Sequence, residues 1–453
     1  MLPSKAQACP AAGRPPGPHG TARPGAADHA HPADSSPVRG VRPEGSAGTA
    51  RAADGSGPRA TNGDVADLVG AVLSEILGDV TARAETLDPV FARDIAERVA
   101  RFTLNGGKRT RSRFVWWARL ACGGHGTGAE AALRIGAALE LIQTCALVHD
   151  DVMDGSSIRR GRLALHADVA AQYRGEDAPG APRAERFGEA AAILAGDLAL
   201  AWADDVVAGT PLPDGTAQRV REVWSAMRME MVAGQYLDVQ GQATSSLSLA
   251  RSIRAACLKT ALYSVERPLA LGAALAGADD ATTAALCSAG RCVGIAFQLR
   301  DDLQGVFGTP ETTGKPVGDD IRSNRPTYLV AVARARAEAN ADDRALAVLD
   351  GALGRADLSE AGLDRVREVL LSTGAYATVE AKIDRLVAQG MRHLDGAVLE
   401  PEGRRRLRGL LRAAAAPPPG APPGPRSPGA PDHGGVTALV DALVDVPAEE
   451  ATR

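Results

Sequence analysis

The sequence predicts an all-α fold, a single-domain bundle of long helices around a central cavity. From Asp64 to about Ala413, apolar residues recur at three- and four-residue spacing almost without interruption, and no segment alternates convincingly as a strand. Several of these runs are much longer than the roughly 11-residue average helix, which suits long helices surrounding a shared interior.

Residues 1–62 come first and differ in kind. They hold ten Pro and nine Gly, few large apolar residues and no periodicity, so they are expected to form a disordered leader. Residues 63–413 form the expected domain. Stretches rich in Ala, Leu, Arg and Glu predict helices near 64–84, 89–103, 110–121, 128–153, 188–208, 215–241, 247–275, 280–306, 326–338, 342–354, 359–372, 375–393 and 398–413. Three loops of interest separate them: Gly155 to Ala167, Gln172 to Phe187 and Gly308 to Asn324. Residues 414–453 read as a Pro-rich linker followed by a short apolar helix.

A net charge of −4 suggests neither nucleic acid nor an anionic membrane as a partner. The six cysteines show no metal-type spacing, and Cys122, Cys145, Cys257, Cys287 and Cys292 fall in apolar helical runs. Such thiols suit the reducing cytoplasm better than a disulfide framework. No run of about 18 uninterrupted apolar residues predicts a transmembrane segment, and the N-terminal stretch lacks the charged-then-apolar order of a signal peptide. Asp28, Asp34, Glu44 and Asp54 argue against a transit peptide.

Two acidic clusters interrupt the apolar pattern: Asp150, Asp151 and Asp154 in LVHDDVMD, and Asp301 and Asp302 in QLRDDLQG. Carboxylates are seldom buried unless something pairs with them. Asp150 and Asp154 share one helical face with Asp151 beside them, and Gln298 lies one turn before the second cluster. Two such clusters in apolar helices point to divalent metal holding a polyanionic substrate, which is diphosphate chemistry. A solvated face or an N-cap accounts for one acidic pair more easily than for two in such surroundings.

Basic residues extend the pattern. Gly106-Gly107-Lys108-Arg109-Thr110-Arg111 opens a helix, where free N–H groups favour an anion. Arg159 and Arg160 follow the first cluster, Lys259 and Thr260 sit mid-helix, and Lys315 and Arg325 lie beyond the second cluster. Taken singly, each of these is more often surface charge.

Together these motifs closely resemble the trans-polyprenyl diphosphate synthase family, over roughly residues 64 to 413. LVHDDVMDGSSIRRG is similar to its first aspartate-rich motif with the trailing Arg pair, and FQLRDDLQGVFG to the second. GGKRTR resembles its isopentenyl diphosphate element, AGDLAL its Gly-Asp after the variable loop, and LKTALY its Lys-Thr helix. GKPVGDDI with Arg325-Pro326-Thr327 resembles the loop that closes over the site.

The resemblance implies the isoprenoid synthase fold, with the two Asp motifs facing each other across a deep cavity, and a homodimer. It implies three Mg²⁺ ions held by Asp150, Asp154 and Asp301. It further implies that Arg160, Lys259 and Lys315 neutralise charge on the pyrophosphate leaving the allylic substrate, with Lys259, Asp151 and Asp302 completing the catalytic set. Isopentenyl diphosphate would be held by Lys108, Arg111 and Arg160, and Gln143, Arg159, Thr260, Gln298 and Arg325 complete the substrate-binding residues. Departures are Gln143 where His is frequent, Ser112 where Pro is common and little consequence is expected, and Gly305 in place of the last Asp of the second motif.

A growing prenyl chain should run from Asp150 toward the N-terminal end of its helix, where Cys145 and Ala146 form a floor and Leu141 and Ile142 a deeper one. Aromatic bulk at the first floor is the family's device for stopping at farnesyl diphosphate. Small residues therefore favour geranylgeranyl diphosphate, with longer polyprenyl products as the competitor. A class I terpene cyclase would need an Asn/Ser/Glu metal motif, which this sequence lacks, and a noncatalytic scaffold would not need both metal motifs and the basic set. Val436, Leu439, Val440, Leu443 and Val444 share one helical face. They suggest a segment that docks on its own core, or a tether, like the leader, to a partner such as a cyclase or a compartment shell.

Overall fold

A computed structural model describes residues 62–126, 128–174, 181–244, 249–310, 317–325 and 327–417. Residues 1–61 of the leader, most of the Pro-rich linker, the Val436–Val444 face and Lys315 lie outside the described residues. Those described belong to one unit, Ala52–Arg453, and are almost entirely helical.

The predicted helices are present with small shifts at their ends. Asn62–Leu87 leads, followed by a continuous run from Pro89 to Leu104 that Asp88 starts by accepting from Phe91 N–H at 2.8 Å. Thr110–Ala121 and Ala129–Met153 come next. The latter, here the first aspartate helix, packs against Ala181–Ala208. Its length and apolarity would suffice to cross a membrane, but 72% of the apolar window is buried inside the protein, as befits a core helix. Asp280–Phe307, the second aspartate helix, packs between Ala375–Gly396 and the segment Cys257–Glu266. Asp279 starts it by accepting from Thr282 N–H at 2.7 Å.

Residues 181–187 are helical where the sequence predicts a loop, Asp319–Arg322 forms a short helix within the expected Gly308–Asn324 loop, and Ala92–Ala96 widens into a π-helix. Three further local features depart from the sequence reading. The Gly155–Ala167 loop contains a two-stranded hairpin, Ile158–Arg159 against Arg162–Leu163, with Arg159 opposite Arg162. Its two turn residues, Arg160 (φ 53) and Gly161 (φ 72), both take the left-handed backbone that such tight hairpins require. Leu165–Tyr173 forms a helix of nine residues, too short for its periodicity to stand out. It is held by Arg98, whose Nε donates to Asp168 at 2.9 Å.

The third is a widening of the helical run Leu249–Ala276 into a π-helix at Cys257–Glu266. Pro268 follows directly, and a proline inside a helix lacks the N–H for the usual bond and crowds the carbonyl four residues back. A π segment absorbs that misfit, and such segments are frequent at functional sites.

None of the five described cysteines is in a disulfide. Burial pushes the thiols of Cys145, Cys257 and Cys287 up to about 12 and that of Cys122 up to about 11. Brief iodoacetamide treatment of native protein at pH 8 is therefore expected to leave all five unmodified, and denaturant to expose all five, as read by peptide mass spectrometry. Rapid native alkylation of Cys145 would contradict its packing.

Candidate active site

The first aspartate helix ends in the site. Asp150 sits under two donors, with Lys259 Nζ at 2.8 Å and Gln235 Nε2 at 3.1 Å, both on Oδ1. Lys259 also donates to Asp238 at 2.7 Å. This geometry depends on a close helix approach: a Cβ on Gly234 would lie 2.3 Å from the Lys259 backbone nitrogen. Only glycine lets Asp214–Thr244 reach the π segment. Burial pulls the Lys259 ammonium down, but Asp150 and Asp238 together outweigh it and hold its pKa above the usual lysine value.

Asp154 caps the same helix and pairs with Arg325. Arg325 also reaches Asp320 at 3.2 Å and lies 3.9 Å from Asp238. One guanidinium therefore links the end of the first aspartate helix to the segment that follows the second. Burial acts to lower its pKa, but Asp320, Asp154 and Asp238 reverse that and raise it well above the usual arginine value.

Asp151 is buried against Arg159, whose Nε donates to it at 2.8 Å, while Arg159 Nη2 also lies 3.6 Å from Asp150. The hairpin thus feeds one arginine back beneath the aspartates. Its neighbour Arg160 stacks on Phe102 at 5.1 Å and donates to the Phe102 carbonyl at 3.4 Å.

On the second aspartate helix, Asp301 is exposed and Asp302 is buried, with Gln298 Nε2 donating to Asp302 at 2.8 Å. Burial, then the carboxylates of Asp320 and Asp301, push Asp302 up to about 8 despite Gln298 and Arg325. Gly305 leaves room for Asp320: a Cβ there would lie 2.9 Å from Asp320 Oδ2. The space where the motif lacks a carboxylate is occupied by one from the following loop.

The basic element divides. Lys108 is exposed. Arg111 stacks on the Tyr263 ring at 4.3 Å and donates to Ser264 Oγ at 2.7 Å. Tyr263 in turn donates to Gln143 Oε1 at 2.6 Å, so the Gln143 amide NH₂ remains its donor end. Thr260 is half-buried beside Lys259. Among the floor residues, Leu141, Ile142 and Cys145 are buried and Ala146 is half-buried, one turn from Asp150 on the same face. Ser112 is fully buried, 2.8 Å from Glu140 and 3.0 Å from the Gly136 carbonyl.

Asp238, Gln235, Asp320, Tyr263 and Glu140 were not singled out from the sequence. Asp238, Gln235, Tyr263 and Glu140 are lone polar residues in helical runs, and Asp320, though paired with Asp319, does not lie in a long apolar run as the two clusters do. The signal available for Asp238 and Gln235 was their spacing of three, which puts both on one face of a helix.

The residues fit a divalent cation that shares its coordination with substrate. Asp154 Oδ1 is buried without a hydrogen bond, and Asp302 is crowded by other carboxylates. Among the described residues no three ligating side chains gather tightly enough to hold an ion alone. Mg²⁺ habitually completes its shell with water and phosphate oxygens.

Residues 93–364, more than half of the chain, match the family model described as polyprenyl synthetase. The chain belongs to the polyprenyl synthetase family. It is 31% identical over 299 residues to a geranylgeranyl diphosphate synthase of Mycobacterium tuberculosis, spanning 66% of this chain and 77% of that one. It is 33% identical over 287 residues to a (2E,6E)-farnesyl diphosphate synthase of Mycobacterium bovis, spanning 63% and 73%. A crystal structure of geranylgeranyl pyrophosphate synthase from Corynebacterium glutamicum, complexed with isoprenyl diphosphate and magnesium, aligns with a TM-score of 0.72 at 37% identity. That alignment covers 77% of this chain and 97% of the other. For this family member, the helical fold and the prenyltransferase class are thereby established.

Gly305→Asp writes back the third carboxylate of the motif, yet it should lower turnover by about tenfold, roughly 1.4 kcal/mol, because it forces a like charge onto Asp320. Steady-state kinetics checks this. Unchanged or improved turnover would show that Asp320 does not need the space.

Proposed function

We propose that this prenyltransferase extends an allylic diphosphate with isopentenyl diphosphate, head to tail, and releases geranylgeranyl diphosphate. The observation that carries the reading is the charge cluster in which Lys259 and Arg325 tie Asp150, Asp154, Asp238 and Asp320 together. Such a cluster suits a diphosphate that arrives with its own cations.

Asp150 and Asp154 on one side and Asp301 on the other would hold the metal, three Mg²⁺ ions in this reading, which when bound supplies charge neutralisation of the diphosphate. Lys259, with Arg325 and Lys315, stabilises the negative charge that grows on the departing pyrophosphate as the allylic C–O bond breaks and its electron pair leaves with oxygen. Thr260 and Gln298 orient the same group. Asp302 and Asp151 hold Gln298 and the Arg159 hairpin in place. Lys108, Arg111, Arg160 and the amide of Gln143 grip the second diphosphate, so the isopentenyl double bond meets the allylic carbon in a fixed orientation. A new C–C bond forms, and the proton lost from the adduct passes to pyrophosphate.

The small residues Cys145 and Ala146 support a product longer than farnesyl diphosphate. Incubation with Mg²⁺, farnesyl diphosphate and labelled isopentenyl diphosphate should yield the twenty-carbon product, and Ala146→Phe should shorten it by one isoprene unit. Farnesyl diphosphate as the end product of the wild type, or an unshifted product for Ala146→Phe, would overturn the chain-length assignment.

The same reading includes a homodimer in a reducing, cytoplasmic setting. Met229, Val232 and Tyr236 form an exposed apolar stripe on Asp214–Thr244 beside Gln235, and Ile193 and Leu194 are exposed on Ala181–Ala208. A second copy is the natural cover for such a stripe. Light scattering should find dimers of wild type and monomers of Val232→Glu; a monomeric wild type would refute this.

A further inference from the structure

Glu140 lies on the first aspartate helix, 8% exposed and well away from the metal-holding aspartates. Its Oε2 accepts from Arg109 Nη1 at 2.9 Å, and its Oε1 is 2.8 Å from Ser112 Oγ. Arg109 also donates from Nη2 to the Leu104 carbonyl at 2.9 Å. These contacts fasten both sides of the Gly106–Arg111 turn to the core.

The turn needs fastening. Arg109 precedes the helix Thr110–Ala121 with φ 50 and ψ 35, a left-handed conformation that costs a side-chain-bearing residue energy. Gly106 packs so tightly that a Cβ there would sit 2.9 Å from the Thr103 carbonyl and 3.1 Å from Arg160 Nη1. Arg109 is turned inward and buried, while of its neighbours Lys108 is exposed and Arg111 is half-buried against Tyr263 and Ser264. Glu140 also sits among guanidiniums: it acts to raise the pKa of Arg160, which burial and Arg109, Arg159 and Arg111 act to lower.

We propose that Glu140, seconded by Ser112, is a positioning residue for the isopentenyl diphosphate site, holding Arg109 inward so that Lys108, Arg111 and Arg160 converge on one diphosphate. This rests on the functional reading given above. Glu140 touches no substrate in this scheme. It acts by fixing the strained turn and by keeping four neighbouring guanidiniums close together despite their mutual repulsion. The allylic site, built from Lys259, Arg325 and the aspartates, does not depend on it.

The test separates the two substrates. In full-length Glu140→Gln, KM for isopentenyl diphosphate should rise at least tenfold, KM for the allylic diphosphate should stay within twofold, and kcat at saturation should fall less than threefold. Ser112→Ala, which removes one partner and leaves the charge, should raise the same KM two- to fivefold, and it carries the test if Glu140→Gln does not fold. Both KM values unmoved, or both rising together in a folded variant, would overturn the positioning role while leaving the reaction intact. A wild-type enzyme that releases no pyrophosphate from the substrate pair would instead overturn the functional reading on which the role depends.

Discussion

The central constraint is an imbalance of charge in one cluster. Asp150, Asp154, Asp238, Asp302 and Asp320 crowd around Lys259 and Arg325, each of which is shared by more than one carboxylate. Removing one partner of a buried ion pair typically costs about 3–5 kcal/mol. The surroundings are arranged to keep these two cations in place. Gly234 admits the Lys259 backbone, the π segment carries Lys259 toward Asp150, and the loop after the second aspartate helix brings Arg325 to Asp154.

The two regions proposed to hold diphosphate differ in how their cations are partnered. Around the aspartates, Lys259 and Arg325 are engaged with acids. Around Gly106–Arg111, the cations are Lys108, Arg111 and Arg160, and the buried carboxylate Glu140 takes Arg109 out of play. A substrate that loses its pyrophosphate needs charge stabilisation that grows during the reaction, whereas one that keeps its diphosphate needs only a fixed grip. The distribution of carboxylates matches that difference.

Much of this was legible in the sequence because it is repetitive. Helices of 25 and 28 residues announce themselves through periodicity, and doubled aspartates in apolar runs are conspicuous. What escaped notice has a physical reason in each case. The helix Leu165–Tyr173 has two turns, the Ile158–Leu163 hairpin has two residues per strand, and the π widening leaves the apolar pattern almost unchanged. Asp238 and Glu140 acquire meaning only from partners 21 and 31 residues away, Lys259 and Arg109, and Asp320 from Arg325, which itself reaches back to Asp154. Gly305, which read as a missing carboxylate, became intelligible once Asp320 was found beside it.

The central claim is that this charge cluster is built for metal and diphosphate together, with neither sufficient alone. Thermal melting of the full chain with Mg²⁺, with inorganic pyrophosphate, and with both tests it most directly. The account predicts shifts of at most about 1 °C for either alone and at least about 5 °C for the pair, since ligand binding to the folded state alone stabilises it by mass action. Equal stabilisation by pyrophosphate with and without Mg²⁺, or full stabilisation by Mg²⁺ alone, would contradict it.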